Sequence, residues 1–473
     1  MPSTAPHTTR KWMVLATVSV GVILATVDAS IVNVALPTLV VDFGTSFAVI
    51  QWVSLGYLLT LASLTMAVGR LGDVVGKKRI YATGFAAFTV ASALAGSSPT
   101  VGYLIGFRII QALGAVMILS LGVAILTESF PPTERGRALG WVGTAVSIGI
   151  VTGPVLGGLL IGSFGWRAIF FVNLPIGIAG TVMALRHVPA TSPSGDRRFD
   201  VPGALLLTVT LASLSLGLTV GQEVGYTSPT ILAAFGLAGL GAIGFLAVER
   251  RVADPMVQLK LFDDPLLSAS LVTGFLSFVA LSGLFILLPF YLEGVLGFDV
   301  RVVGLLMGVA PLALGVVAPF AGAWSDRIGV RPLTLAGLGV MALAFLGLRT
   351  LDGTSSWWHF TLAALPYGVG IGLFQSPNNS AIMGSVPRAD SGLAGGMLTL
   401  TRLLGQITGV ALLGSLWATR VAAAAGPAVS APQAPPDAQV AGLRDTLTVA
   451  EGLIVVAVVV GVWAYRRDRR PAR

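Results

Sequence analysis

The sequence has few of the charged residues that a soluble protein needs on its surface. Only 11% of its 473 residues are charged, whereas 55% are hydrophobic, and soluble domains usually contain about 25% charged residues. So few charges cannot cover a water-facing surface of this size. The composition therefore predicts a protein whose main solvent is lipid.

Cysteine is absent, and histidine occurs only three times, at His7, His187 and His359. The absence of cysteine excludes disulfides, thiol chemistry and cysteine-ligated metals, and three scattered histidines predict no metal site. No G-x-x-x-x-G-K-[ST] phosphate loop occurs, so we expect no ATP hydrolysis. With no catalytic cluster and no sizeable soluble region, the sequence predicts neither an enzyme nor a cofactor.

Apolar runs of about 20 residues, the length that crosses a bilayer core, occur fourteen times. The first follows Arg10 and Lys11, and we interpret it as a span and not as a cleaved signal peptide. The predicted spans lie near residues 12–36, 48–69, 80–97, 101–126, 137–161, 166–186, 202–221, 230–248, 266–291, 302–324, 332–349, 357–382, 391–417 and 447–465.

Lys and Arg residues are distributed unequally between the two sides of these spans. With fourteen spans, 22 lie on the side of the termini, five lie on the other side, and two, Arg108 and Arg402, lie inside spans. Because basic loops favour the cytoplasm, we predict a multi-pass protein of the cytoplasmic membrane with both termini in the cytoplasm. The net charge of +8 lies mostly in these loops, so we expect membrane lipid and not nucleic acid as a partner.

Two motifs recur at nearly the same distance along the chain. GRLGDVVGKKR at 69–79 and GAWSDRIGVR at 322–331 share Gly, Asp and Gly 253 residues apart, and 132–140 resembles 387–395 at an offset of 255. Two such offsets predict a duplicated six-span unit with two spans inserted between the copies.

The predicted fold is an all-α membrane protein with fourteen transmembrane helices. Residues 1–186 and 251–473 would form two pseudo-symmetric six-helix bundles, and 187–250 would supply a linker and two extra spans. Residues 187–201 are polar, and 418–446, on the outer side, are rich in Ala and Pro. The latter segment would be either a short helical hairpin or disordered.

Four motifs resemble signatures of the major facilitator superfamily, and specifically of its fourteen-span drug:proton antiporters. VDASIVNVALP at 27–37 is similar to L-D-x-T-I-V-N-V-A-L-P, and the loop 69–79 is similar to G-x-L-a-D-r-x-G-r-k-r. LIGFRIIQALG at 104–114 is similar to L-x-x-x-R-x-x-Q-G-x-G, and GIVTGPVLGG at 149–158 is similar to G-x-x-x-G-P-x-x-G-G.

The sequence departs from these signatures at Val27, Val74 and Ala112, and Val74 puts one basic contact in doubt. The resemblance implies a monomeric antiporter that exports small hydrophobic compounds by alternating access, driven by the proton gradient. Its substrate site would lie between the halves near the midplane. A proton-coupled symporter, or an exporter of lipid or lipid-like compounds on the same scaffold, is the alternative.

Asp28 is the candidate proton carrier. It precedes Pro37 by nine residues, about 13 Å at helical rise, and it is the only carboxylate well inside an apolar run. A carboxylate there costs ~2.5–3.5 kcal/mol on insertion and usually marks an ion or proton pathway. Arg108 lies at a similar depth in span four, so protonation of Asp28 would release Arg108 from a pair. Alternatively, Asp28 is permanently bonded to a neighbour, and Arg108 only bonds backbone carbonyls.

Other polar and aromatic side chains within spans are candidate substrate contacts. Arg402 lies near mid-depth in span thirteen and would either meet an anionic or polar substrate or bond carbonyls beside Gln406. The segment FQSPNNS at 374–380 resembles the second-half segment of these antiporters, where a broken helix would line the cavity. Phe107 and Tyr367 are possible aromatic contacts. The expected cavity residues are Asn33, Gln51, Trp52, Tyr57, Gln111, Gln375, Asn378, Asn379 and Arg402.

The glycines of the antiporter motif are spaced for a close helix contact. Gly149, Gly153 and Gly157 recur every four residues and form one smooth face, and Pro154 favours a bend. This face would slide against another helix as the transporter changes state, and Gly158 also belongs to the motif. Gly304 and Gly308 on span ten are the expected partners, and ordinary tight packing is the alternative.

The resemblance assigns the repeated loops to a cytoplasmic gate. Asp73 would cap a second-half helix near Ser391, since an anion at a helix N-terminus is favourable. The basic residues of the loop also act as topology determinants. The expected gate residues are Gly69, Asp73, Gly76, Lys77, Arg79, Asp326 and Arg327.

Overall fold

The computed structural model describes residues 5–131, 133–190, 200–252, 259–386, 391–426 and 429–468, and within these ranges the chain is helical with no strand. The α-helices, in chain order, are α1 Ala5–Phe43, α2 Phe47–Ile50, α3 Trp52–Val75, α4 Lys77–Gly96, α5 Val101–Ser129, α6 Arg135–Phe164, α7 Ala168–Phe171, α8 Asn173–His187, α9 Val201–Val224, α10 Pro229–Glu249, α11 Pro265–Phe290, α12 Val300–Met307, α13 Val309–Ile328, α14 Val330–Leu348, α15 Trp357–Gly384, α16 Ser391–Ala425 and α17 Pro436–Asp468. A π-helical turn at Tyr291–Val295 follows α11.

Twelve helical segments in the described residues are long enough and apolar enough to cross a membrane. The all-α, multi-pass fold is therefore confirmed. Of the fourteen predicted spans, α4 and α15 fall outside these twelve, although they contain 20 and 28 residues. Both carry polar stretches: three basic residues begin α4, and α15 contains the sequence QSPNNS.

The two motif copies form turns with the same backbone geometry. Gly76 joins α3 to α4 with a φ of 103°, and Gly329 joins α13 to α14 with a φ of 92°. Residues with a side chain rarely adopt this conformation, whereas glycine has no Cβ to clash. The spacing of the repeat thus reflects two tight helix–helix turns that both need glycine.

Helices α1, α3, α4, α5, α6 and α8 pack on one another, and so do α11, α13, α14, α15, α16 and α17. The short helix α12 leads directly into α13 and belongs to the second group. Each of the two groups contains a pair of helices that cross closely at glycines. A Cβ on Gly114 would lie 2.7 Å from the carbonyl oxygen of Gly84, and a Cβ on Gly337 would lie 2.7 Å from that of Gly370. Since a real Cβ almost never approaches so closely, α4 and α5 cross as tightly as α14 and α15. The predicted division at residues 186 and 251 stays a prediction.

Helices α9 and α10 pack against each other, and α9 also contacts α3 and α16. The indole nitrogen of Trp52 on α3 donates to the hydroxyl of Thr219 on α9 at 3.1 Å. The pair from the middle of the chain is thus attached through α9 to helices from both groups.

The two ends of the molecule are defined by their contacts. Trp12, near the start of α1, packs edge-on against Phe130, and a Cβ on Gly461, near the end of α17, would lie 3.5 Å from Leu335, near the start of α14. We call this end the termini end. At the opposite end, the far end, the residues after α1 meet the end of α11 where Phe47 packs on Phe290.

The predicted outer loop is much shorter than 418–446. Helix α16 continues to Ala425, and α17 begins at Pro436, so the described residues of this segment form the top of a helical hairpin, one of the two predicted alternatives. The indole of Trp417 donates to the carbonyl oxygen of Gln439 across it, at 3.3 Å. Part of the linker 187–201, and parts of the echo between 132–140 and 387–395, lie outside the described residues.

Candidate functional site

A central cavity lies between the two groups of helices. It holds about 1320 Å³ of empty space, including the part open to solvent, and α1, α3, α5, α6, α11, α13, α15 and α16 all contribute to its wall. Most of the wall is apolar, with residues such as Leu61, Phe278 and Phe285. Concave, largely apolar sites with a few polar groups are typical of small-molecule binding.

Asp28 is fully buried beside this cavity and holds several hydrogen bonds. Its Oδ2 accepts from the guanidinium of Arg108, forming an ion pair. Its Oδ1 accepts from the amides of Gln111 at 2.8 Å and Asn173 at 2.9 Å. Ser92 joins the two amides, because its Oγ accepts from both of them at 3.1 and 3.0 Å. The carboxylate thus lies in a network drawn from α1, α4, α5 and α8.

Arg108 connects the network to the cavity. Its side chain is 1% exposed and that of Asp28 is 0% exposed, yet Arg108 belongs to the cavity wall, whereas Asp28 lies behind it. The guanidinium lies over the Tyr57 ring, 4.2 Å from its centroid, and also donates to the side chain of Gln111 at 2.8 Å. A buried ion pair stays intact only when such additional bonds offset its desolvation.

Asn173 and Ser92 were missed from the sequence. Asn173 begins α8 just after the short helix α7, and the Ser92 hydroxyl donates to the carbonyl of Phe170 at 2.8 Å. An asparagine buried at a helix start beside an apolar run is the only signal the sequence offers for this role. Their contact with Asp28 depends on how α4 and α8 pack, which no local pattern gives.

The expected substrate-contact residues are divided between the cavity wall and other places. Asn33, Tyr57, Gln375 and Arg402 belong to the wall. Gln111 is bonded to Asp28, and Trp52 donates to Thr219 on α9. Gln51 is buried near Gly414, where a Cβ would lie 2.8 Å from its Oε1. Asn378 donates to the carbonyl of Ser270 at 3.1 Å, and Asn379 is half-buried outside the wall.

The wall also contains polar groups that have no partner. The hydroxyls of Tyr57 and Tyr367 are buried and make no hydrogen bond within the described residues. Tyr57 comes from α3 and Tyr367 from α15, so the two tyrosines face the cavity from different groups of helices. Of the aromatic candidates, Tyr367 lies in the wall and Phe107 does not.

The prediction that the glycine face of the antiporter motif packs against Gly304 and Gly308 was wrong. A Cβ on Gly149 or Gly153 would collide with Thr26 or Ser30 of α1, and one on Gly157 would collide with Ile31. This face therefore packs on α1, within the same group of helices. Gly149, Gly153 and Gly157, spaced four residues apart, lie on one side of α6. The next glycine, Gly158, points about 100° away from Gly157 around the helix axis.

Gly158 makes the contact between the groups. A Cβ there would lie 2.5 Å from the carbonyl oxygen of Val300 and 2.8 Å from the Cα of Gly304 on α12. Next to it, the guanidinium of Arg301 donates to the carbonyl of Gly162 at 2.6 Å. Pro154, inside α6, also contacts α12, since a Cβ on Gly304 would lie 2.5 Å from its carbonyl oxygen.

An aromatic cluster adds to this contact at the far end. The ring centroid of Phe47 lies 5.1 Å from that of Phe290 and 4.9 Å from that of Trp417. At the termini end, in contrast, Leu267, Leu271, Ile382 and neighbouring residues form a small core separate from the main one. The contacts of Gly158, Arg301 and Phe47 with the other group lie at the far end.

The expected gate residues lie at the termini end. Asp73 pairs with Lys77 at 3.0 Å, and Lys77 also pairs with Glu128, so both ion pairs stay within the first group. Gly69 and Gly76 lie on α3 and at its end, and Arg79, Asp326 and Arg327 are exposed. The side chain of Ser391, the expected partner region of Asp73, lies outside the described residues.

Comparison with known proteins identifies the family. The sequence pattern of the Major Facilitator Superfamily matches residues 18–410. The chain is 33% identical over 411 residues to the riboflavin transporter RibZ of Clostridioides difficile (strain 630), covering 86% of this chain and 89% of that protein. It is 34% identical over 421 residues to the multidrug resistance protein Stp of Mycobacterium tuberculosis (strain CDC 1551 / Oshkosh), covering 88% and 77%.

A solved structure has the same fold. The bacterial homolog of the human lysosomal transporter Spinster, in an inward-facing and unoccupied conformation, superposes with a TM-score of 0.67 at 16% identity, over 100% of both chains. At that identity the likeness concerns the fold alone. The matched pattern and the relatives cover most of the chain. The chain is therefore a multi-pass membrane transporter that belongs to the Major Facilitator Superfamily.

Proposed function

We propose that this protein is a proton-coupled antiporter that exports small, largely hydrophobic compounds across the cytoplasmic membrane by alternating access. The observation that carries the proposal is the buried Asp28–Arg108 ion pair, whose cation belongs to the wall of the central cavity. A carboxylate at this depth is expensive and usually serves an ion or proton pathway.

The pair supplies a proton-dependent change of charge beside the cavity. When Asp28 takes up a proton, its ion pair with Arg108 is lost, and a buried cation without a partner is strongly unfavourable. The protonated and deprotonated proteins therefore prefer different arrangements of the helices around Arg108. A ligand, here a proton, shifts a conformational equilibrium by the difference in its affinity for the two states.

The proposed architecture has fourteen spans, with α4 and α15 completing the twelve strongly apolar ones. Two six-helix halves, 1–186 and 251–473, rock about the cavity, and α9 and α10 form the insert. Both termini would lie in the cytoplasm, because basic residues are in excess at the termini end. Because the cross-half contacts named above lie at the far end, we propose that the cavity opens to the cytoplasm in this conformation. We propose that one chain is the working unit.

The proposed substrate class follows from the cavity wall and the relatives. Apolar residues on both halves form most of the wall, which suits a compound with a hydrophobic body. Relatives named for multidrug resistance and for riboflavin transport support small organic molecules as the substrates. The proposal requires no cofactor, since the proton gradient supplies the energy.

Proton symport on the same scaffold is the second candidate, because Arg108 belongs to the cavity wall. Protonation of Asp28 would release this cation toward the cavity, where it would attract an acidic group of the substrate. A substrate and a proton that bind together would then move in the same direction.

Purified protein in liposomes with an imposed pH gradient tests the proposal. Antiport predicts that a fluorescent hydrophobic compound enters an acidic lumen while protons leave it, and that dissipating the gradient with an ionophore stops the movement. Movement of compound and protons in the same direction would replace antiport by symport. If a broad panel of compounds shows no movement that depends on the gradient, the proposed function is wrong.

A further inference from the structure

We infer that the cavity selects compounds that combine a hydrophobic body with an anionic group, and that Arg402 binds this group with the hydroxyls of Tyr57 and Tyr367 as additional donors. The inference rests on the proposed transport function and names its substrate class. It follows from the charges and the unpaired donors of the cavity wall.

The wall carries a net positive charge. Among the described residues that form it, Arg108 and Arg402 are the charged ones, and none is a carboxylate. Arg108 is neutralised by Asp28, directly behind it. Arg402 has no ion pair within the described part of the chain. One uncompensated cation thus faces a largely apolar space, where charges are poorly screened.

The guanidinium of Arg402 is not satisfied by hydrogen bonds to backbone carbonyls of the described residues either. The sequence left open that its guanidinium bonds carbonyls beside Gln406. No such bond occurs among the described residues, and α16 is continuous from Ser391 to Ala425, so the nearby carbonyls are used within the helix. Gln406, one turn further along, also belongs to the wall. The side chain therefore keeps its hydrogen-bonding capacity for a ligand.

The tyrosine hydroxyls are a second, independent indication. Tyr57 and Tyr367 are 1% and 2% exposed, belong to the cavity wall, and have hydroxyls without a partner in the described residues. Buried polar groups are normally hydrogen-bonded. A phenol can donate to a carboxylate or phosphate oxygen, and bonds to an ionised acceptor are stronger than those between neutral groups.

The positions of these donors define how such a compound would bind. Arg402 and Tyr367 come from the second half, and Tyr57 comes from the first. An anionic group bound by Arg402 would lie in the cavity between the halves, while the apolar wall holds the hydrophobic body. A cationic compound would be repelled by Arg402 and would find no carboxylate in the described wall to compensate it.

Three probes with the same fluorescent body test the inference: 4-(1-pyrenyl)butanoate, its neutral carboxamide and the corresponding primary amine. Binding to the purified full-length protein is measured at neutral pH by fluorescence. We expect the carboxylate to bind about tenfold to a hundredfold more tightly than the carboxamide, the range for a hydrogen bond to a charged group. The amine should bind more weakly than the carboxamide.

Three variants locate the effect. Arg402→Gln should remove the preference for the carboxylate and leave the affinity for the carboxamide nearly unchanged, whereas Arg402→Lys should keep part of the preference. Arg420→Gln is the matched control, because Arg420 lies outside the cavity wall and pairs with Asp445 at 3.6 Å. This control should bind all three probes as the unmodified protein does.

The outcomes separate this inference from the proposed function. Equal affinity for carboxylate and carboxamide, or a preference that survives Arg402→Gln, overturns the inference, even if the carboxamide is transported under a pH gradient. Selective carboxylate binding without gradient-driven movement of any probe supports the inference about the site and contradicts the proposed transport.

Discussion

The two halves of the molecule are similar in backbone and different in charge. Gly76 and Gly329 make equivalent turns, and α4 crosses α5 as tightly as α14 crosses α15. Beside the cavity, however, the first half holds a neutralised pair, Asp28 with Arg108. The second half presents Arg402 without an ionic partner in the described residues.

This difference indicates that the close helix packing is alike in the two halves, whereas the charged residues beside the cavity are not. Close contacts between helices depend on small residues at fixed positions, and both copies keep them. The charged residues are free of that constraint and lie in one half or the other. We interpret the first half as the site of proton exchange and the second as the main determinant of substrate charge.

The largest effect is expected for the carboxylate of the first half. Asp28→Asn keeps the size of the side chain but cannot exchange a proton, so pH-driven transport in liposomes should fall to the level of empty liposomes. Probe binding in detergent should persist. Asp445→Asn, which removes an exposed carboxylate, is the control and should transport normally. Full gradient-driven transport by Asp28→Asn would remove the distinction between the halves.

The next effect concerns the stability of the buried pair. Arg108→Gln leaves the Asp28 carboxylate buried without its cation, which should lower the free energy of unfolding by about 3–5 kcal/mol. The double variant Asp28→Asn/Arg108→Gln should recover part of this loss, because no charge then remains buried. Denaturation in mixed micelles measures both. An Arg108→Gln protein as stable as the unmodified one would contradict the buried-pair geometry.

A third variant tests the contact between the halves at the far end. In Gly158→Leu, the side chain would collide with backbone atoms of α12, which cannot rotate aside, and overpacking of this kind costs about 1–3 kcal/mol. The far end should open. Because the chain has no cysteine, spin labels can be attached at Phe164→Cys and Trp357→Cys, and the distance between them should increase. Gly236→Leu, where a Cβ meets nothing within 4 Å, should leave it unchanged.

The smallest effect is expected at the two equivalent turns, because neither Gly76 nor Gly329 belongs to the cavity wall. Gly76→Ala and Gly329→Ala each place a Cβ at a positive φ, and each should lower stability by about 1–3 kcal/mol. Pulse proteolysis in micelles compares the two variants. A much larger loss for one of them would show that the two turns are not equivalent.

The sequence predicted the helical membrane fold, the repeat and the Asp28–Arg108 partnership, because each leaves a local signal. A run of apolar residues, a glycine at a tight turn and an ionisable group within a span can all be recognised without knowing the packing. Similar depth alone was enough to suggest that Asp28 and Arg108 meet, since spans run nearly parallel.

The sequence could not predict which face of a helix meets which neighbour. Asn173 and Ser92 reach Asp28 only because α8 and α4 pack beside α1 and α5, and one helical step decides that Gly157 faces α1 while Gly158 faces α12. The sequence also left 418–446 open between a short helical hairpin and disorder, because its Ala and Pro residues are weakly apolar. Packing of α16 against α17 keeps most of it helical.

Infrared difference spectroscopy of the protein in liposomes tests the central claim most directly, because a carboxylic acid and a carboxylate absorb at different frequencies. On titration with acid, the account predicts a carbonyl band of a protonated carboxylic acid in the unmodified protein that Asp28→Asn lacks. The same band in both proteins would contradict the assignment of Asp28 as the group that exchanges the proton.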